Sequence, residues 1–385
     1  MDTKLFITFT VIAFGILIAP IISNLLKIPL AIGEILFGIL LGIIKINTLI
    51  DPFLTKPFSY FGFLLLMFLA GLEIKIRELK DLSFEDSFFI ILPVILNFLF
   101  STLVVIFFKL PIFFILVFSL ISVGIIVSVL RELNLLKTQY GKHLFFIGIL
   151  GEAFSLVLLT AFSLFYKFKY PYLFIKELIL LILVSIIAYL ILKVFYLLVW
   201  WFPNKFFVIF TKEPGEFGVR LSLGALLILS SLFAFANIEP ILGAFIAGLI
   251  FGNVIKQVDL IEEKFSGFSY GFFIPVFFIN IGLNFSFPEI DIFYFLKIFF
   301  LFLLVKILSH LPLAIKYDLK TSIASALLMS APLTLLVALA EFGKALGVIS
   351  EDETYSLILL SILTGILCPS LFKLLFKPDK VLKES

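Results

Sequence analysis

The chain has 385 residues and a formal net charge of +3, and 62% of its residues are hydrophobic while only 14% are charged. A soluble domain carries about 25% charged residues, so this chain lacks the polar surface that a water-soluble globule needs. The small net charge gives no indication of nucleic-acid binding, and a single cysteine, Cys368, excludes an internal disulfide. The apolar residues occur in runs of about 20, the length that crosses the hydrocarbon core of a bilayer. The composition therefore predicts an all-α polytopic membrane protein.

Apolar runs separated by proline, glycine and clusters of charge predict about thirteen spans. Lysine and arginine residues between these spans fall about two to one on alternate sides of the membrane. Because cytoplasmic loops carry the excess of basic residues, this pattern predicts a cytoplasmic C-terminus and an external N-terminus in the cytoplasmic (inner) membrane of a prokaryote. The approximate limits of spans 1 to 13 are 4–24, 28–46, 57–76, 86–108, 111–134, 142–168, 173–201, 216–236, 239–255, 265–285, 291–316, 319–342 and 353–377.

Glycines at matching spacing indicate an internal repeat. Three glycines near the start of each half of the chain share the same unequal spacing of five and four residues. Small residues in membrane helices can simply pack the helices together. A second match, Gly71-Leu72-Glu73 with Gly282-Leu283-Asn284, nevertheless follows in register. The offset of about 210 residues predicts that 4–168 and 216–377 are two copies, joined by a linker helix at 173–201. An odd number of spans separates the copies, so the second is inverted, as in many secondary transporters. The first matched set is Gly33, Gly38 and Gly42 with Gly243, Gly248 and Gly252.

Two spans at corresponding positions of the repeat are interrupted near their centres. Ser119, Ser122 and Gly124 interrupt span 5, and Ser330 and Pro332 interrupt span 12. Proline removes a backbone donor and glycine loosens a helix. Either feature alone is compatible with a simple packing kink. Interrupted helices at matching positions of two repeats are nevertheless the best sequence indication of a transporter's binding site, so we expect two broken crossing helices there.

Three polar residues are predicted to lie near the middle of the membrane. Glu152 and Lys306 each stand about ten residues from the cytoplasmic end of their span, which is roughly 15 Å at ~1.5 Å per residue. Asn97 is the repeat partner of Lys306 and belongs to the same layer. An ionisable group at this depth costs at least ~2.5–3.5 kcal/mol, so it is a functional candidate. The alternative is an ion pair between Glu152 and Lys306 that only connects two helices.

The chemistry of a buried carboxylate predicts competition between a proton and a metal cation. A desolvated carboxylate favours the protonated form, whereas a nearby ammonium favours the ionised form. Oxygen ligands suit hard cations, so Glu152, together with the carbonyl groups of a broken helix, is the predicted ligand for transported Na⁺ or K⁺. Lys306, Ser122 and Asn97 complete the predicted ion-binding and proton-binding set. No cofactor is expected, and the partners expected are monovalent cations, protons and the lipid bilayer.

Several stretches, taken together and in order, resemble the cation:proton antiporter family, in its bacterial sodium/hydrogen exchanger and Kef-type branch. The resemblance implies core helices at about 86–168 and 291–377, a scaffold that forms a homodimer, and elevator-type movement of the core. Lys306 matches the basic residue of the family. The stretches include IPLAIGEILFGILLG, FGFLLLMFLAGLEIKIREL and PVFFINIGLNFSF.

The chain departs from the family pattern at two places. Where the family has Asp-Asp, Asn-Asp or Gln-Asp, this chain has Gly151 and Glu152, so only the second carboxylate is present. In relatives the additional carboxylate is linked to electrogenic exchange, so this difference favours electroneutral exchange here. The family's Arg-Gly-Glu near the second helix break is also absent, and residues 331–334 are Ala-Pro-Leu-Thr.

These features predict a secondary antiporter that exchanges protons for Na⁺ or K⁺ at a carboxylate in the middle of the membrane. Two alternatives remain open at this point. The same fold could carry another solute or act as an ion channel, or the chain could be a membrane sensor or assembly subunit that transports nothing. An enzyme is not expected, because no nucleophile and base, and no metal-binding set, share a depth in the membrane.

Overall fold

The computed structural model describes residues 3–26, 28–73, 84–136, 138–167, 217–236, 239–254, 258–285 and 291–376, with scattered positions between 176 and 201. The predicted linker helix at 173–201 therefore lies largely outside the described residues. The helices are α1 (Thr3–Leu26), α2 (Leu30–Ile43), α3 (Pro52–Glu73), α4 (Phe84–Phe107), α5 (Phe113–Ser119), α6 (Val123–Glu132), α7 (Gln139–Lys167), α8 (Phe217–Phe235), α9 (Pro240–Val254), α10 (Val258–Phe268), α11 (Ile274–Leu283), α12 (Ile292–His310), α13 (Leu313–Lys316), α14 (Leu319–Met329), α15 (Leu333–Ala345) and α16 (Glu351–Leu375).

The prediction of an all-α polytopic membrane protein is confirmed. Within the described ranges, nine helical segments are long and apolar enough to cross a membrane, or ten if the bent pair α14–α15 is one span. Two further apolar helices, α2 and α9, are shorter than predicted, with 14 and 15 residues. Helix α2 ends at Ile43 rather than near 46, because Lys45 adopts a left-handed backbone conformation with φ of 59°.

The described helices form two compact units. The first unit contains most of α1 and α2 together with α3 and α8–α11. In it α3 packs against α9 and α11, and a π-helical turn at Ser269–Phe273 joins α10 to α11. The second unit contains α4–α6, most of α7 and α12–α16. In it α4 packs against α5 and α12, and α16 packs against α14 and α15.

Close helix contacts in the first unit use the glycines of the predicted repeat. A Cβ atom added to Gly38 would collide with the backbone of Ile279 and Gly282, and one added to Gly248 would collide with the backbone of Phe68. The reciprocal positions, Gly282 and Gly71, are equally crowded by the backbone of α2 and α9 respectively. The contact between α2 and α11 therefore has a counterpart in the contact between α9 and α3, with the glycines of the two contacts about 210 residues apart in sequence. Small residues allow this close approach of membrane helices.

In the second unit, two interrupted helices lie side by side. The segment α5–α6 is broken at residues 120–122, and the segment α14–α15 is broken at 330–332 with a bend of 47°. Helix α5 packs against α15, and α6 packs against α14. The first half of each broken helix thus contacts the second half of the other, which is the pairing of two antiparallel segments.

Polar side chains satisfy the first backbone N–H groups of helices in the second unit, which fixes where these helices begin. Asp291 caps α12, Asp318 caps α14, and Ser350 forms a capping box with Glu353 at the start of α16. Such caps are each worth about 1 kcal/mol. The caps of α12 and α14 fix the starts of the helix that carries Lys306 and of the helix that precedes the second break.

Candidate ion-binding site

The first helix break is a short extended segment between α5 and α6. Leu120 and Ser122 have extended backbone angles, with ψ of 130° and 136° respectively. Ser119 is the last residue of α5, Ser122 precedes the first residue of α6, and Gly124 lies one residue inside α6. The break therefore exposes backbone groups that a continuous helix would use internally, and these groups require partners from other helices.

Glu152 supplies one of these partners. Its side chain is only 3% exposed, and Oε2 accepts a hydrogen bond of 2.7 Å from the backbone N–H of Val123, the first residue of α6. The N-terminus of a helix carries a partial positive charge and stabilises a carboxylate. The acid that the sequence singles out in the middle of the membrane is thus placed directly at the first break.

Lys306 is placed on the other side of the same break. Its side chain is fully buried, and Nζ donates to the carbonyl oxygen of Leu120, immediately after α5. Nζ also donates to Oδ1 of Asn97 at 3.2 Å and lies 5.3 Å from the ring centroid of Phe302. A positive charge is favourable at the C-terminus of a helix. The ammonium and the carboxylate therefore each lie at the helix end whose partial charge is opposite to their own.

Asn97 connects Lys306 to the end of α5. The amide Nδ2 donates a hydrogen bond of 2.6 Å to the carbonyl oxygen of Ser119, while Oδ1 accepts from Lys306. Because a carbonyl only accepts and an ammonium only donates, these two contacts fix the orientation of the amide. Asn97 is 1% exposed, so neither hydrogen bond competes with bulk water.

Ser155 is a member of this site that the sequence analysis missed. Its hydroxyl donates to the carbonyl oxygen of Gly151 at 2.7 Å and accepts from the backbone N–H of Ile121 at 3.2 Å. Its only sequence signal is its position on α7, one turn after Glu152, because residues three or four apart share a face of a helix. Serine is common in membrane helices, so that signal is weak.

Ser122 is the last residue of the extended segment that separates α5 from α6. It is 4% exposed and directly precedes Val123, whose N–H binds Glu152. Among the described residues, no hydrogen bond occupies the Ser122 hydroxyl. Oxygen atoms are the ligand type that suits hard cations, and Glu152, Ser122 and the backbone of the break supply oxygen atoms of three kinds: carboxylate, hydroxyl and carbonyl.

The second break brings together the other predicted positions, Ser330 and Pro332. Ser330 directly follows α14, and its hydroxyl donates to the carbonyl oxygen of Ala326 at 2.7 Å within the same chain turn. Pro332 directly precedes α15, where its missing N–H costs no hydrogen bond. Ala331 is buried in an apolar cluster with Leu327 and Cys368.

One end of the second unit is held together by a partly buried polar network around Asp86. The carboxylate Oδ1 of Asp86 accepts from Lys316 Nζ at 2.7 Å and lies 2.8 Å from His143 Nε2. The other ring nitrogen of His143 lies 2.7 Å from the hydroxyl of Tyr317. The network connects α4, α7 and the end of α13. Asp86 lies eleven residues before Asn97 on α4, so the network around Asp86 is ~16 Å along the helix from Asn97 and the candidate site.

The fold and this site define a class: a polytopic membrane transporter with two broken helices and a buried carboxylate at one break. A solved structure, that of the sodium proton antiporter MjNhaP1 from Methanocaldococcus jannaschii at pH 8, has the same fold. The TM-score is 0.66, the sequence identity is 15%, and 99% of each chain is covered. The family model for the sodium/hydrogen exchanger, transmembrane, matches residues 12–377. The chain belongs to this family, which consists of transporters and not of enzymes.

Similar proteins in other organisms agree with the family. The Bacillus subtilis protein YjbQ is 28% identical over 383 residues, covering 93% of this chain and 61% of that protein. The chain therefore spans less than two thirds of the length of YjbQ. The Na⁺/H⁺ antiporter of Enterococcus hirae is 28% identical over 282 residues, with 70% of each protein covered. The Na⁺/H⁺-K⁺ antiporter GerN of Bacillus cereus is 24% identical over the full length of both proteins.

Proposed function

We propose that this protein is a Na⁺/H⁺ antiporter in which the two cations compete for Glu152. The observation that carries the proposal is the buried carboxylate of Glu152 at the N-terminus of α6, 2.7 Å from the N–H of Val123. Membership of the sodium/hydrogen exchanger family and the names of the relatives from E. hirae and B. cereus support Na⁺ as the cargo. K⁺ is a second candidate cargo, because the name of GerN includes it.

The competition follows from charge. When a proton leaves Glu152, a negative charge remains in a region that water does not stabilise. A monovalent cation that takes the place of the proton leaves the total charge of the site unchanged, so the proton and the cation can replace each other. Ser122 and the carbonyl groups of the break complete the cation's ligands. Lys306 and Asn97 act beside this site by holding the end of α5, so that the break keeps its extended form in both states. One site that holds either cation couples the two fluxes.

The proposed mechanism extends to the whole molecule. Elevator-type movement needs one body that carries the site and a second that stays fixed. The division of the described helices into two compact units, with Glu152 and Lys306 in the second, supports this assignment. We propose that the first unit is the scaffold of a homodimer in a cytoplasmic membrane. The excess of basic residues on alternate sides supports an external N-terminus and a cytoplasmic C-terminus.

A flux assay with purified protein in liposomes tests the proposed function. A pH-sensitive dye inside the liposomes should report proton movement when Na⁺ is added outside, and Glu152→Gln should abolish that signal. The matched control is Glu263→Gln, because Glu263 is exposed on α10, and this variant should retain the exchange of the unmodified protein.

Two results would contradict the proposal. Exchange that continues in Glu152→Gln would show that another group carries the proton. Na⁺ flux without counter-movement of protons would indicate a channel. Parallel measurements with Li⁺ and K⁺ identify the preferred cargo.

A further inference from the structure

Three residues on one face of α7 dock against the first helix break. Gly151 and Glu152 are four and three residues before Ser155, so each of them is a neighbour of Ser155 on the surface of the helix. Gly151 contacts the side chain of Ile121, Glu152 accepts from Val123 and Ser155 accepts from the N–H of Ile121. Helix α7 therefore contacts the break at three points: Gly151 and Ser155 both contact Ile121, and the carboxylate of Glu152 contacts Val123.

The contact at Gly151 leaves no room for a larger residue. A Cβ atom added there would lie 2.7 Å from both Cβ and Cδ1 of Ile121 and 2.9 Å from its Cγ2. Optimal contact between carbon atoms is at about 3.5–4.0 Å, so even one methyl group would push the break away from α7. Ile121 is fully buried and its Cβ is fixed to the backbone, so its side chain cannot simply swing aside. The glycine therefore sets how closely the break approaches α7.

We infer that Gly151 and Ser155 are positioning residues that keep the cation site narrow and so favour Na⁺ and Li⁺ over K⁺. This inference rests on the proposed function and adds the size of the cargo to it. The oxygen atoms available to the cation belong to Glu152 on α7 and to the break. The distance between α7 and the break thus fixes the space between the ligands. Discrimination among cations depends on the size of the site and on how rigidly its ligands are held.

Two variants separate the two contacts. Gly151→Ala moves the break outward by adding one methyl group, and Ser155→Ala removes the hydrogen bond to the N–H of Ile121 without adding any atom. Ser155→Ala keeps the test decisive if Gly151→Ala fails to fold. The matched controls are Gly224→Ala, where an added Cβ meets nothing within 4 Å, and Ser128→Ala, whose hydroxyl is exposed on α6.

The measurement is the apparent KM for Na⁺, Li⁺ and K⁺ in liposome exchange assays at a fixed pH. The unmodified protein should have a lower KM for Na⁺ and Li⁺ than for K⁺. In both variants the ratio of the KM for Na⁺ to that for K⁺ should rise. For Ser155→Ala we expect about a fivefold rise, the size of the effect of one lost hydrogen bond. Both controls should keep the ratio of the unmodified protein.

The outcomes distinguish this inference from the proposed function. If the KM values for all three cations change in parallel, or none changes, the residues have only a structural role and the inference is wrong. An unmodified protein that prefers K⁺ also overturns it, while antiport itself remains. If the unmodified protein exchanges no cation at all, the proposed function fails and this inference fails with it.

Discussion

The two helix breaks of the second unit have the same position in the predicted repeat but different surroundings. The first break receives hydrogen bonds or charges from three other helices, through Asn97 on α4, Glu152 and Ser155 on α7, and Lys306 on α12. The second break uses local contacts: the N–H of Ser330 donates to Leu327, and its hydroxyl to Ala326. Its centre is packed among apolar side chains.

This difference shows that an interrupted helix is not by itself an ion site. Both breaks remove backbone hydrogen bonds, and both leave helix ends with partial charges. At the first break these partial charges face an ammonium and a carboxylate. At the second, Pro332 lacks an N–H, so the break needs fewer partners. The charged and polar partners are therefore concentrated at the first break. Substitutions there should reduce exchange more than substitutions at the second break.

Apart from the loss of exchange in Glu152→Gln, the largest effect is expected from Lys306→Met. The substitution keeps most of the side-chain volume but leaves the carbonyl oxygen of Leu120 and Oδ1 of Asn97 without their donor. Hydrogen bonds to charged groups are worth about 1.5–3 kcal/mol each, so we expect exchange to fall by about 100-fold or more. The measurement is Na⁺-driven proton movement in liposomes. The control is Lys297→Met, because Lys297 is exposed on the same helix. If Lys306→Met exchanges as fast as the unmodified protein, the charged partners of the first break do not make it functionally different from the second.

A smaller effect is expected from Asn97→Leu. The variant loses the bond to the carbonyl oxygen of Ser119 and the bond from Lys306, while it keeps a similar volume. We expect about tenfold slower exchange and a lower thermal unfolding temperature, because two buried polar groups lose a partner. Thr102→Val on α4 is the control, since the Thr102 hydroxyl bonds to the carbonyl of Phe98 one turn earlier on the same helix. Equal losses in both variants would mean that α4 tolerates no change of polarity and that Asn97 has no special role.

The smallest effect, and the most direct comparison, comes from the two serines. We expect Ser122→Ala to raise the apparent KM for Na⁺ about threefold to tenfold, because the variant loses a proposed ligand of the cation. Ser330→Ala should change the same KM less than about twofold, since that hydroxyl bonds within its own helix. If Ser330→Ala raises the KM as much as Ser122→Ala does, the cation contacts both breaks.

Most of the fold could be predicted from the sequence, because a membrane imposes a length and a polarity on each helix. Runs of apolar residues predicted spans that the described helices confirm. The repeated glycines predicted an internal repeat, and the structure shows that they lie at close contacts between α2 and α11 and between α3 and α9. The short length of α2 could not be predicted, because Lys45 ends that segment through a left-handed backbone conformation. Hydrophobicity carries no information about such a turn.

For the site, the sequence by itself determined which residues are costly to bury: Glu152, Lys306 and Asn97 stand out because polar groups in an apolar span need a compensating function. Only the tertiary structure decided that all three meet at one break, and that Ser155 and Gly151 hold the same segment. Hydrogen bonds and close contacts between helices depend on which faces meet. The sequence gives the spacing of residues along each helix, whereas packing in three dimensions decides which atoms come within reach.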